Sequence, residues 1–208
     1  MYGVCADCGA SGAMDGPVAA DSILTCPECG YEQPYLRLPL FVVVGASGAG
    51  KSTMAKDLTA LDEAPAAVYL DSDILLIEPF AGNGWEEYRE TWVWLCFNIA
   101  QSGRPVVLFG GGDPGDYASV SWMRFFSDTH YLALTCGPDE LERRLRDRPA
   151  WRGSAEPEFV ARQLDWNASL MTGSRPGGHT WDALSTSGRH QDDTARGIAL
   201  WMRRHWRW

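Results

Sequence analysis

The chain has 208 residues, 45% of them hydrophobic and 22% charged, enough for one α/β domain with a real core and a small appended module. No run of eighteen apolar residues occurs, which excludes a membrane-spanning helix, and the opening MYGVCADCG lacks the basic and apolar regions of a signal peptide. The net charge of −9, from 18 Lys+Arg against 27 Asp+Glu, argues against a diffuse nucleic-acid footprint while leaving room for a local basic patch, and a cytoplasmic setting is expected.

Residues 1–37 are rich in glycine, alanine and turn residues and have no apolar run long enough for a core of their own. They carry Cys5-Ala-Asp-Cys8-Gly9 and Cys26-Pro-Glu-Cys29-Gly30. A two-residue spacer lets both thiolates of a knuckle face one ion, and the following glycine permits the tight turn. Cys5, Cys8, Cys26 and Cys29 would complete a tetrahedral Zn²⁺ shell with no position left open for a reaction, so the expected role is structural. The competing reading is a disulfide or redox pair, against which the doubled spacing argues. The arrangement resembles a zinc ribbon. Cys96 and Cys136 have no neighbours at ligand spacing and read as buried thiols.

From Leu38 onward apolar runs alternate with amphipathic ones. Strands are expected at 39–44, 66–70, 105–109, 130–135 and 180–184. Helices are expected at 50–61, 85–101, 117–127, 138–146, 156–170 and 192–205. Strands separated by helices imply a mostly parallel sheet covered on both faces.

Gly45-Ala-Ser-Gly-Ala-Gly50-Lys51-Ser52 fits G-x-x-x-x-G-K-[ST] at every fixed position, between an apolar strand and a helix. Glycines let the backbone wrap an anion, and the helix N-terminus adds its positive end. Gly45, Ser47, Gly48, Ala49, Gly50, Lys51, Ser52 and Thr53 are thus candidate nucleotide-binding residues. Lys51 would span the β- and γ-phosphates, and Ser52 would hold Mg²⁺.

Some twenty residues on, Val68-Tyr-Leu-Asp71-Ser72-Asp73 delivers two carboxylates at a strand end. Asp71 is placed to hold Mg²⁺ or its water, and Asp73 to accept a proton from a substrate hydroxyl. The plainer reading is a capping pair for the next helix. Gly110, Gly111 and Gly112 follow another strand and allow a close approach to substrate, although an ordinary turn explains them almost as well. Asp113 lies too far past the strand for a good metal ligand. The run from Leu141 to Arg152 holds five arginines against two acids, which suggests a local anion site in an acidic protein; the plainer reading is a solvated helix face, which does not explain why the run continues through Pro149 into a loop.

With these motifs in order, residues 38–208 resemble the P-loop small-molecule kinases, the assemblage of nucleoside, nucleotide, shikimate and gluconate kinases. The resemblance rests on Gly45–Ser52, Asp71/Asp73, Gly110–Gly112 and the lid-like Arg144-Leu-Arg-Asp-Arg148-Pro149. It implies an α/β three-layer sandwich with a five-stranded parallel sheet, a lid near 143–157, ATP as donor, Mg²⁺, and a small-molecule acceptor. It also implies that Arg144 stacks on adenine, that Arg148 and Arg152 reach the transferred phosphoryl group, and that Arg89 binds substrate within a stretch from Ile77 to Glu90 like that of shikimate kinase. The Arg-Pro-x-Trp-Arg lid, Gln163, Asn167 and Ser185-Thr-Ser-Gly188 look most like nucleoside-kinase-like proteins, making a nucleoside or nucleotide the best-supported acceptor.

Three other readings stay open. One is an RNA-directed kinase or NTPase using the ribbon, although residues 1–35 contain no Lys or Arg. Another is a specialised-metabolite or antibiotic kinase, since 16 Arg to 2 Lys is a mark of GC-rich coding. The third is a nucleotide-gated binding module without catalysis, against which the intact Asp71 and Asp73 argue. Oligomeric state is not legible in the sequence.

Overall fold

In the computed structural model the described residues are 4–11, 22–76, 84–173 and 180–206. Five parallel strands lie in the order β4-β5-β3-β6-β7, where β3 is Leu40–Gly45, β4 Val68–Asp71, β5 Val106–Phe109, β6 Thr129–Thr135 and β7 Asp182–Ser185. β3 reads Leu-Phe-Val-Val-Val-Gly and is buried at all six positions, as a central strand covered on both faces must be. The chain leaves β3 toward β4 on one side and later reaches β6 on the other. The loop after β3 therefore sits where the winding reverses, which is where open α/β sheets bind ligands.

Helices α1 (Lys51–Ala60) and α6 (Gln191–His205) cover one face, packing Met54, Leu58, Ile198 and Met202 against Phe41 and Val43. The other face is covered by α2 (Trp85–Ala100), whose Trp92, Val93, Cys96 and Phe97 meet Val42, Val44 and Leu108. α4 (Pro138–Arg146) and α5 (Pro157–Leu170) pack on each other beyond β6, over Ala46 and Cys136. α4 begins on Pro138, Asp139 and Glu140 and ends on Arg143, Arg144 and Arg146, charges that complement the helix dipole at each end.

One expected element is different. The helix expected at 117–127 is instead a short α3 (Pro114–Ala118) followed by a 3₁₀ turn over Ser121–Phe125. Asp113 and Asp116 form a capping box with Pro114 at the first position, which starts the helix earlier, and Val120 is extended, which ends it. The aromatic run that looked helical packs Phe125 and Phe126 into the core instead.

The N-terminal segment is an antiparallel hairpin, β1 (Ile23–Thr25) with β2 (Glu32–Pro34), carrying one cysteine knuckle at its turn. Leu24 and Tyr35 are buried in the core that α2 shares with the sheet, and the Tyr35 ring meets Phe97 and Phe125 edge-on at 5.8 and 5.7 Å. Gln101 ties the hairpin exit down, its Oε1 accepting from Leu36 N at 2.7 Å and its Nε2 donating to Leu36 O at 3.2 Å. Gln101 closes α2 just before β5 begins, so the hairpin docks at the amino ends of the strands, away from the loop after β3. No described helix is long and apolar enough to cross a membrane.

Candidate active site and metal centre

The two cysteine knuckles are folded alike. Gly9 N donates to Cys5 O and Cys5 N to Ala10 O; Gly30 N donates to Cys26 O and Cys26 N to Tyr31 O. Gly9 and Gly30 hold φ of 72° and 75°, the left-handed region that the turn requires and that glycine adopts freely. The four sulfur atoms lie within 4.8 Å of one another, with Cys5–Cys29 at 3.7 Å and Cys8–Cys26 at 3.8 Å. A tetrahedron of metal–sulfur bonds of about 2.3 Å has an edge of roughly 3.8 Å, so the set fits Zn²⁺. All four are free thiols, and the backbone N–H of Cys8 is the chief influence holding the Cys5 thiol down at about 7.

At the opposite end of the sheet, β3 runs into the glycine loop and α1. A Cβ on Gly45 would come within 2.7 Å of Leu134 O, so the loop passes β6 with no room for a side chain. Gly50, at φ 102°, turns the chain into α1. Lys51 folds back across the loop, its Nζ donating to Gly45 O at 2.6 Å and Ala46 O at 3.2 Å. Desolvation lowers its pKa to about 8 against the pull of Asp73 and Asp71.

Two cavities meet at this loop. The first, of about 340 Å³, is lined by Gly48, Ala49, Gly50, Thr53, Arg144 and Thr186 among others. Arg144 is fixed there by Glu140 Oε1 at 2.7 Å, Thr186 Oγ1 at 3.0 Å and Gly48 O at 3.3 Å. Arg148 donates to Ser47 Oγ at 2.7 Å, bridging lid and loop. Arg152 is exposed, its guanidinium 5.1 Å from the Trp151 ring centre, and its field reaches both Asp73 and Arg148. Ser52 is exposed at the start of α1.

The second cavity, of about 570 Å³, brings together Lys51, Asp73, Arg89, Gly111, Gly112 and Gln163 with several aromatic side chains. Asp73 faces this cavity with its carboxyl above the ordinary carboxylate range, through partial desolvation first and then the charge of Asp71. Asp71 does what the plainer reading expected, its Oδ1 accepting from Asp73 N at 3.1 Å to cap the 3₁₀ turn over Ser72–Leu75. That bond also aims Asp73. Gly110 does not line the cavity: a Cβ there would lie 2.7 Å from the Tyr117 hydroxyl and 3.1 Å from Ser72 Oγ, so its smallness serves packing. Arg89 is no surface arginine; its side chain is 18% exposed, and it points into the cavity. Ile77–Phe80, upstream of Arg89, lies outside the described residues.

Gln163 Oε1 accepts from the loop amide of Ser47 at 2.7 Å. Asn167 clamps the end of β6 in both directions, accepting from Cys136 N at 2.9 Å and donating to Cys136 O at 2.7 Å, which positions α5 over the site. Sequence reasoning missed Phe159, Trp166 and Asp116 as cavity residues, because the spacing of Phe159, Gln163 and Trp166 along one helix face reads as an ordinary amphipathic helix.

No family model matches the chain, and no curated protein matches it. Solved structures do. A sugar kinase from Janibacter sp. HTCC2649, unliganded, superposes with a TM-score of 0.57 at 13% identity, over 81% of this chain and 95% of that one. The fold is that of the P-loop kinases. A gluconokinase from Sinorhizobium meliloti 1021 gives 0.52 at 18% identity, over 82% of this chain and 95% of that one. Shikimate kinase from Acinetobacter baumannii, in complex with shikimate, gives 0.50 at 18% identity, over 81% and 94%. Identities at this level speak to architecture and leave activity to the site itself.

Proposed function

We propose that this chain is an ATP-dependent phosphotransferase that moves the γ-phosphoryl group of ATP to a hydroxyl or phosphate of a small metabolite, with a nucleoside or nucleotide as the favoured acceptor. The observation that carries the reading is the place of Lys51 and Asp73, side by side in a second cavity that opens off the phosphate loop. A nucleotide-gated binding module would need the loop alone. A carboxylate lining the same cavity as the loop lysine supports a transfer step as well.

In this reading the loop amides of residues 45–52 and Lys51 hold the β- and γ-phosphates, and the first cavity takes the base beside Arg144 and Thr186. Mg²⁺, held by Ser52 with Asp71 beside it, would neutralise charge on those phosphates. Asp73 orients an acceptor hydroxyl and takes its proton as the new O–P bond forms and the bridging P–O bond to ADP breaks. Arg148 and Arg152, in the lid near 143–157, meet the charge that spreads over the equatorial oxygens. Gly111 and Gly112 let the acceptor approach. Residues 1–37 form a ribbon held by a structural Zn²⁺ on Cys5, Cys8, Cys26 and Cys29, and residues 38–208 form the catalytic domain of a cytoplasmic enzyme. Titration with a non-hydrolysable ATP analogue and a transfer assay on Lys51→Ala test the core of this. Transfer should fall by at least ~100-fold with weaker analogue binding, because Lys56, the other lysine, is exposed on α1. Full transfer by the variant would remove the loop as donor site.

A further inference from the structure

We infer that Gln163 is a further catalytic residue, its side-chain amide donating to a γ-phosphate oxygen of ATP from the second-cavity side of the phosphate loop. This rests on the kinase reading above and deepens it, adding a neutral donor to the charged groups already placed.

The orientation of the amide follows from its partner. The Ser47 N–H can only donate, so the Gln163 atom 2.7 Å from it is the oxygen, and the two N–H donors of Nε2 point the other way. Among the described residues nothing accepts from them. Gln163 lines the second cavity together with Ser47, Lys51 and Asp73, and that is the space those donors serve.

Ser47 decides which part of the nucleotide they meet. It occupies a position that G-x-x-x-x-G-K-[ST] leaves free, yet it is held from two sides. Arg148 Nη1 donates to its Oγ at 2.7 Å, while Gln163 takes its N–H. Arg148 lines the first cavity and Gln163 the second, so Ser47 stands on the boundary between them. With the base in the first cavity and the β-phosphate on the loop amides, the γ-phosphate is the part of ATP that crosses that boundary.

The donor is also held rigidly. α5 is fastened to three strand ends: by Gln163 to the loop after β3, by Trp166 Nε1 to Asp113 Oδ1 after β5 at 3.1 Å, and by Asn167 to Cys136 after β6. A donor fixed in this way needs no reorganisation as charge develops on the phosphoryl group. Its neutrality matters to Asp73. Lys51, Arg152 and Arg148 already pull the proton affinity of that carboxylate down, and an amide adds hydrogen bonds to the phosphoryl group without a further charge that would make Asp73 a weaker base.

The test is titration with Mg-ADP and with the Mg²⁺ complex of β,γ-imido-ATP, which carries the γ-phosphate that ADP lacks. Gln163→Met keeps the length of the side chain and removes both hydrogen-bonding ends. Its affinity for the imido analogue should fall roughly 10–100-fold, the loss of a hydrogen bond to a charged group, while that for ADP stays within about twofold. Gln163→Glu keeps an oxygen for the Ser47 N–H and turns a carboxylate oxygen outward in place of the donor. It should melt at the native temperature and weaken the analogue at least as much as Gln163→Met. Should Gln163→Met not fold, Gln163→Glu decides alone. Equal loss of both nucleotides would mean that Gln163 only shapes the loop, and native analogue affinity in Gln163→Glu would mean that its nitrogen faces elsewhere. Either result overturns the inference and leaves the kinase reading standing. If the native chain binds neither nucleotide, the kinase reading falls and the inference with it.

Discussion

At the carboxyl ends of the strands, backbone turns and charges are presented to a ligand on a foundation of complete burial: β3 has no exposed residue, and the phosphate loop stands directly on it. At the amino ends, a hairpin with three-residue strands has only Leu24 and Tyr35 to bury, and four thiolates stand where a core would be. The first region borrows its rigidity from the whole sheet, so its side chains can be spent on chemistry. The second has no such foundation, and its order is expected to depend on a metal held by the four cysteines. Yet the two share one hydrophobic core through Tyr35, Phe97 and Phe125.

The largest way to break that contrast is to take the metal. Purified protein should carry about one Zn²⁺ per chain by elemental analysis, and chelation or Cys26→Ser should abolish order in the hairpin, since structural zinc supplies apparent free energies of about 10–16 kcal/mol. Hydrogen exchange should rise across residues 22–34 while the amides of β3 and β6 remain protected. A metal-free preparation with a protected hairpin, or disulfides among the four cysteines, would remove the metal assignment.

At the other end, Asp73→Asn keeps size and hydrogen bonding but removes the charge. Acceptor turnover should fall about 10²–10⁴-fold while binding of the ATP analogue changes little. Asp71→Asn should instead weaken the Mg²⁺ dependence. Normal turnover by Asp73→Asn, or loss of nucleotide affinity along with activity, would falsify this division of labour.

The shared core gives a smaller effect that tests whether the regions are independent. Tyr35→Ala empties the space between Phe97 and Phe125 and should cost about 3–5 kcal/mol of unfolding free energy in the zinc-loaded protein. If the cost is confined to the hairpin, hydrogen exchange in α2 will not change, and the core is not shared in the energetic sense argued here.

What the sequence disclosed follows from the same contrast. Contiguous signals were legible: the apolar run of β3, the phosphate loop after it, the Gly-Pro-Asp start and arginine-rich end of α4, and the paired knuckles. Signals assembled from distant elements were not. Leu24 and Tyr35 are lone apolar residues in a polar stretch, and nothing local says that they dock on α2. Phe159 and Trp166 line the second cavity because Asn167 holds α5 against β6 and Asp113 anchors the indole, and Asp116 because the capping box starts α3 there. Arg89 was readable only through a family resemblance, since an arginine between Glu86 and Glu90 looks like any solvated helix face. The misplaced helix at 117–127 failed on a local competition, the Asp113–Asp116 capping box against a run of aromatic residues that proved to be core.

The smallest expected effect lies again at the amino ends of the strands and needs no ligand. His130, the second residue of β6, packs between Phe41 at 5.2 Å and His205 at 4.4 Å between ring centres. Desolvation, and then the neighbouring His205, lowers its pKa below the ordinary histidine value, while Asp128 and Asp182 pull the other way. Asp182 is already engaged, its Oδ2 3.1 Å from His205 Nε2 and accepting from Trp201 Nε1 at 2.8 Å. Above about pH 7 the ring is neutral in the folded and unfolded chain alike and costs nothing. As pH falls through about 6.5 the unfolded chain takes up the proton first, so stability declines until the folded ring is also protonated. His130→Phe keeps the ring stacking and removes the proton site. Melting temperatures from pH 5 to 8 should show an acid-side decline shallower in the variant by roughly 1–2 °C. Parallel curves would mean that the ring is protonated as easily in the fold as out of it, and that the amino ends of the strands, unlike the phosphate-loop end, tolerate a charge at no cost.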